Sequence, residues 1–272
     1  SRTSQSYISK HSTRPNSERT RLMTTPMRVA SKIFLATFLL MMMVVAFFPA
    51  SSLKYLSREI NGFDLIGTEG TVWNGKTRFL VRDEISGSFQ WNFDGLEKWW
   101  PRFSWTLNGS GYELRGSNVF LLKHTRLSIQ GEASSDSIQQ LLSRFDIFLS
   151  GVFKLAPLTA DIKYATRSIE DINLDRPYEI DWSGGQISYI LARQFFRVEL
   201  PPLTAQGTFE NGKAATLIRR VDNKKRLLEL SLGENGISNI RVFRRLLEAT
   251  NTPWIGDQEL DDVVIEIERK IF

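Results

Sequence analysis

The 272-residue chain contains no cysteine and two histidines. No disulfide can form, so an exported version of this chain must be held by burial and backbone pairing alone, and thiolate chemistry is excluded. His11 lies near the start and His124 in the body. With one body histidine, multi-histidine metal sites and HExxH zinc chemistry are excluded as well. No GxSxG elbow, Walker loop or GxGxxG fingerprint occurs. The carboxylate pairs Asp83-Glu84 and Asp261-Asp262 lack further ligands at metal-loop spacing and are expected to be turn and solubility residues. Convergence of acids in space leaves a carboxylate-only hydrolase open in principle. The expectation is nonetheless a non-enzyme, with no catalytic, cofactor-binding or metal-binding residues and no cofactor.

What the chain does have is an apolar run from Ile33 to Phe48, interrupted only by Thr37 and preceded by Arg28 and Lys32. At 1.5 Å per residue the run covers about 24 Å, short of a ~30 Å hydrocarbon core; starting at Val29 with Lys32 snorkelling makes up the difference. A cleaved secretory signal has the same ingredients, with Ala50, Ser51 and Ser52 as small residues after the run. The length of the run and the bulky Phe47 and Phe48 before Pro49 favour an uncleaved anchor.

Charge is unevenly distributed. Residues 1–50 carry seven Lys or Arg and one acid, Glu18, whereas the remaining 222 residues carry 28 basic and 29 acidic side chains, a net of −1. The basic balance therefore belongs to the tail, and it argues for a cytoplasmic N-terminus under the positive-inside rule rather than for nucleic-acid binding. Three segments are expected: 1–28, a basic, disordered cytoplasmic tail; 29–50, a transmembrane signal anchor; and 51–272, a periplasmic domain with room for one sizeable core or two small ones.

Over the body, apolar and polar residues alternate in short windows, the period-two mark of half-buried strands. Leu127 and Ile129 alternate with Arg126, Ser128 and Gln130; Ile147, Leu149, Phe153 and Leu155 are expected on one face; Phe196, Val198 and Leu200 alternate with Arg197 and Glu199; Leu228, Leu230 and Leu232 follow the same rule, as do Val263, Ile265 and Ile267. Gly87, Gly109, Gly116, Gly131, Gly151 and Gly207 punctuate the pattern at expected strand ends or bends. The fold class is mainly β: a curved, mostly antiparallel sheet with about two short helices.

One helix is expected after Asp136 as N-cap, with Ile138, Leu141, Leu142 and Phe145 as its apolar stripe. A second is expected after Asn239, burying Val242, Phe243, Leu246 and Leu247, exposing a solvated face of Arg241, Arg244 and Arg245, and closed by Pro253. His124 falls on the polar side of its strand with Arg126 and Ser128 and is expected to be solvated. Trp73-Asn74-Gly75 and Trp182-Ser183-Gly184 hint at two similar halves, although short strands with turn glycines also produce such likeness by chance. Trp73 followed two residues later by Gly75 suggests a ring packed over a tight turn that needs positive φ or close backbone approach. Pro201-Pro202 marks a rigid break between strands.

Five of the seven tryptophans lie between Trp73 and Trp105. Phe89, Trp91 and Phe93, and likewise Phe103, Trp105 and Leu107, would each fill one strand face. Trp99-Trp100, beside Glu97-Lys98, has the composition of a membrane interface.

From residue 27 to the end the chain resembles protein N of the type II secretion system, the GspN family. The resemblance is carried, in order, by the basic start and apolar anchor ending Phe47-Phe48-Pro49-Ala50; by Gly67-Thr68-Glu69-Gly70-Thr71-Val72-Trp73-Asn74-Gly75; by Asp181-Trp182-Ser183-Gly184-Gly185-Gln186-Ile187-Ser188-Tyr189; by Leu200-Pro201-Pro202-Leu203; and by the Arg244-Arg245-Leu246-Leu247 segment, Pro253-Trp254 and the last strand. Gly207 stands further from Leu203 than the family pattern has it, and the first 26 residues lie outside that pattern. The resemblance implies an auxiliary component of the cell inner membrane, single-pass, with its C-terminal domain in the periplasm. It would assist transport of folded proteins through the outer-membrane secretin by contacts with inner-membrane platform subunits or the secretin. The alternative is an anchored lipid carrier of the envelope, whose sheet curls into an apolar groove.

Overall fold

A computed structural model describes residues 24–52, 63–81, 85–143, 147–164, 172–191, 194–210, 212–233, 236–250 and 254–270. The chain divides into two compact units, residues 1–48 and 49–272. The first holds helix α1, Thr24–Ala46, which forms over the apolar run. Its described apolar side chains, Ile33 to Val45, are exposed. Pro49, whose ring disfavours helix at the residue before it, follows the end of α1 closely. Among the described residues no helix is long and apolar enough to cross a membrane. The expected basic tail falls almost wholly outside the described residues.

The second unit is dominated by strands: β1 Phe63–Gly70, β2 Asn74–Val81, β3 Ile85–Glu97, β4 Trp100–Gly109, β5 Tyr112–Phe120, β6 His124–Ser134, β7 Ile147–Leu149, β8 Val152–Lys163, β9 Ile172–Leu174, β10 Tyr178–Trp182, β11 Gly185–Leu191, β12 Gln194–Leu200, β13 Leu203–Glu210, β14 Lys213–Arg220, β15 Arg226–Gly233, β16 Ile237–Phe243 and β17 Val263–Lys270. Fourteen of them form one sheet in the order β1-β2-β3-β4-β5-β6-β8-β10-β13-β14-β15-β16-β17, with β9 paired to β8; a smaller sheet has the order β12-β11-β7. Every described pairing is antiparallel. Two short α-helices, α2 Ser135–Ser143 and α3 Arg244–Ala249, and a single 3-10 turn, Ala50–Ser52, complete the described part of the unit.

The large sheet has two chemically distinct faces. Directly paired residues share a face, and the ladder Thr77, Phe89, Leu107, Leu114, Gly131, Leu155, Ile180, Ala205, Ile218, Leu228, Val242, Ile265 crosses twelve strands without a charged side chain. On the opposite face runs the ladder Asn74, Asn92, Ser104, Ser117, Ser128, Thr159, polar throughout. Because most of the sheet is a single layer, few side chains are sealed: among the described residues Ala50, Phe79, Trp91, Val119, Ala160, Trp182, Leu200, Leu227 and Phe243 are the buried apolar ones.

Several expectations change at element ends. Ile147 and Leu149 belong to the small sheet, whereas Phe153 and Leu155 belong to the large one, because the chain turns at Gly151 with φ +105°. Helix α2 starts at Ser135, so Asp136 sits in its first turn rather than at the N-cap; Phe145 lies outside the described residues. Val242 and Phe243 end strand β16, and the helix after them has six residues, because Val242 is held in the ladder by Leu228 and Ile265. Arg241, Arg244 and Arg245 are engaged rather than merely solvated: Arg241 donates to Glu229 at 3.3 Å, Arg244 to Glu248 at 3.1 Å and Arg245 to Asp261 at 3.0 Å. Pro253 lies outside the described residues.

Candidate functional site

The small sheet leaves the large one at a tight corner built from the Trp182-Ser183-Gly184-Gly185 segment. Strands β10 and β13 are neighbours in the large sheet, and the β11-β12 hairpin is inserted between them in sequence. Gly184 and Gly185 have φ of +81° and +140°, which only glycine adopts readily. A Cβ on Gly151 would lie 2.5 Å from the Gly184 carbonyl oxygen and 2.8 Å from the Trp182 indole nitrogen. The Trp182 indole N–H donates to the Ser150 carbonyl at 2.9 Å, Ser183 Oγ accepts from the Val152 N–H at 2.9 Å, and Ser150 Oγ accepts from the Gln186 N–H at 2.7 Å. Pro201-Pro202 returns the chain to β13, in keeping with the expected break.

This corner creates an apolar cleft of about 170 Å³ between the two sheets. Leu149 and Ile187 line it from the small sheet; Phe153, Ile180, Trp182, Leu203, Ala205 and Ile218 line it from the large one. The one polar side-chain group in that lining, the Trp182 N–H, is already bonded to Ser150. Such walls offer an apolar group contact on several sides and no unpaired polar side-chain partner. Three of its walls, Ile180, Ala205 and Ile218, belong to the uncharged twelve-strand ladder, whose neighbouring residues Leu155 and Leu228 continue the apolar surface. Two larger hollows, of about 470 and 450 Å³, are lined mainly by polar-face residues and are open to solvent, as is one of about 540 Å³ walled by charged side chains such as Arg226, Glu229, Arg241 and Asp261.

Between β2 and β6 the apolar face is paved with rings. Trp73 lies against Phe93 and Phe103 with centroids 5.4 and 6.2 Å apart, and Phe89 against Trp91 and Trp105 at 5.7 and 6.1 Å. The ring over Gly75 is Trp91, from the next strand, which also donates its indole N–H to the Val72 carbonyl at 3.2 Å. Trp105 covers Gly116 in the same way, and Tyr178 covers Gly207. These glycines lie inside strands and give the rings somewhere to lie. Sequence reasoning missed this role, since it follows from cross-strand register.

On the polar face Asp161 accepts two hydrogen bonds from Arg126, at 2.9 and 3.1 Å, and its carboxyl is held below the usual carboxylate range by them. His124 Nε2 lies 3.9 Å from the same carboxylate. Asp261 is bound by Arg245, and Asp262 accepts from the Glu259 N–H at 2.8 Å, the roles expected of turn acids; Asp83-Glu84 lies outside the described residues. Among the described residues no group of His, Asp and Glu side chains is arranged to hold a metal ion.

At its two ends the sheet is open: among the described residues, β1 pairs only with β2 and β17 only with β16. Strand β17 presents eight residues, Val263 to Lys270, and is largely exposed. Comparison with protein-family models, with curated proteins and with solved structures finds no match to this chain.

Proposed function

We propose that the chain is an inner-membrane-anchored, non-enzymatic component of the type II secretion pathway, meeting platform subunits or the secretin through strand addition in the periplasm. The family resemblance supplies the pathway, and the basic tail before the Ile33–Phe48 run supplies the anchor and its orientation. The observation that carries the mode of contact is β17, eight residues long, exposed and paired on one side only. A free edge offers main-chain donors and acceptors to a partner strand. Glu266, Glu268, Arg269 and Lys270 line the same strand and discourage indiscriminate edge-to-edge pairing, which narrows the choice of partner to one of complementary charge. The test is a photocrosslinking residue at Glu268 of the full chain, irradiated in membranes of the native host. Capture of secretin or platform subunits is expected, and recovery of lipid-export proteins with none of those subunits would overturn the reading.

The lipid-carrier reading draws on the apolar cleft under the small sheet and the apolar residues of the ladder that continues it. It predicts that a photoactivatable fatty acid labels the cleft walls in the full chain and that Ala205→Phe, which fills the cleft, removes that label while labelling of α1 persists. Labelling confined to α1 in both proteins would dispose of it.

A further inference from the structure

One end of the large sheet combines exposure, strain and charge in a way that neither strand addition nor the cleft uses. The β3-β4 hairpin turns at Lys98 and Trp99, with φ of +49° and +77°. Two successive residues at positive φ make the kind of turn that normally takes Asn-Gly, and a bulky Trp there is an outlier. Its ring gains nothing from the rest of the fold: Trp99 is 89% exposed, whereas Trp100 beside it is half-buried. Strained backbone combined with an exposed indole marks a position kept for contact with something else.

The neighbouring turn matches it. Arg102 pairs with Val119, so the β5-β6 turn lies at the same end of the sheet as the β3-β4 turn. It carries Leu122, 80% exposed, next to Phe120, and Leu96 is exposed on the first hairpin. Lys98 and Lys123 flank these side chains and have no carboxylate partner among the described residues, whereas Glu97, the acid nearest Lys98 in sequence, is taken by Arg102 at 3.0 Å. Indole and aliphatic tips framed by these lysines match the chemistry of an anionic bilayer surface, where aromatic rings sit at headgroup depth and cations meet lipid phosphates. The β1-β2 turn lies at this end as well: Thr71 bridges Pro49, and Trp73 lies against Phe93 and Phe103 of the two hairpin strands.

We propose that this end of the sheet is a bilayer-docking rim in which Trp99 and Leu122 insert at the interface and Lys98 and Lys123 bind anionic phospholipid headgroups. The inference rests on the anchor reading for the rim's nearness to a membrane and is independent of the secretion partners. The absence of cysteine makes the test direct. Single-cysteine variants Trp99→Cys, Leu122→Cys and Asn223→Cys of the full chain, each checked for wild-type circular dichroism and thermal unfolding, carry an environment-sensitive fluorophore. They are reconstituted in phosphatidylcholine vesicles with or without phosphatidylglycerol. Asn223 lies in the β14-β15 turn at the opposite end, since Arg220 pairs with Leu203 and Leu203 with Trp182. Labels at 99 and 122 are expected to shift to the blue and to be quenched by spin-labelled lipid when phosphatidylglycerol is present, with no change at 223. The response should be lost in a Lys98→Glu/Lys123→Glu background. Emission at 99 and 122 indistinguishable from that at 223 would overturn the proposal; so would a blue shift without lipid quenching, which would assign the rim to a protein partner.

Discussion

The indole of Trp91 lies over Gly75, the residue directly opposite it on the adjacent strand, so closely that a Cβ at position 75 would stand 2.5 Å from Trp91 Cζ2 and 2.6 Å from the Glu69 carbonyl oxygen. Trp105 and Gly116 repeat the relationship across β4 and β5. In a single-layer sheet, rings lying flat on a neighbouring backbone replace some of the burial that a second layer would provide.

Gly75→Ala should therefore destabilise the domain by about 1–3 kcal/mol, the usual range for overpacking, through displacement of the Trp91 ring and loss of its hydrogen bond to Val72. Gly116→Ala should behave alike. Urea unfolding followed by tryptophan fluorescence reads both changes, and a wild-type midpoint for either variant would show that the ring can lie elsewhere.

Much of the strand pattern was legible from alternation because one face of the sheet is apolar and the other polar; Leu127 with Ile129 and Leu228 with Leu230 are strand residues for the expected reason. Errors arose where two elements meet. The residues 242, 243, 246 and 247 have helical spacing, yet the first two end a strand and the last two lie in the helix that follows, so the stripe spans a junction. Ile147 to Leu155 likewise crosses the corner at Gly151. The cleft was illegible because its walls come from four strands of one sheet and two of another, joined by pairings no local window contains. The Trp182-Ser183-Gly184-Gly185 motif was visible as a motif, but its part in directing the chain from one sheet to the other depends on the Ser150 and Val152 backbone that it meets.

That corner gives a second prediction. Trp182→Phe keeps a ring in the buried position but removes the N–H donated to Ser150, leaving its carbonyl without that partner. A cost of about 1–3 kcal/mol is expected. Hydrogen exchange should also accelerate in β7 and β11 more than in β3 to β5, because the bond ties the small sheet to the large one. Uniform acceleration across both sheets would contradict this local role.

Asp161 sets an acid-side dependence. Hydrogen bonds from Arg126 lower its carboxyl in the folded state, so its contribution is fully present above the unfolded value of about 3.9 and is lost as pH falls through the lower folded value. The pair is partly exposed and screened, so the contribution is on the order of 0.2–1 kcal/mol. Asp161→Asn should lower the urea midpoint slightly at neutral pH, and the gap from wild type should close only below about pH 4. A gap that stays constant to the most acid condition would mean that the pair contributes nothing through charge.

The strained turn at Trp99 sets stability against docking. Replacing it with glycine relieves a positive-φ conformation without removing buried contacts, because the ring is almost wholly exposed. The gain should be about 1 kcal/mol in folding stability, since backbone strain of this kind costs on the order of 1–3 kcal/mol and glycine returns part of it as unfolded-state entropy. If the rim docks on lipid, the same Trp99→Gly change should weaken quenching by spin-labelled lipid of a fluorophore at Leu122→Cys while the protein itself becomes harder to unfold. Loss of stability on substitution would show that the indole is held by the fold. A gain in stability with undiminished quenching would leave the ring no part in docking.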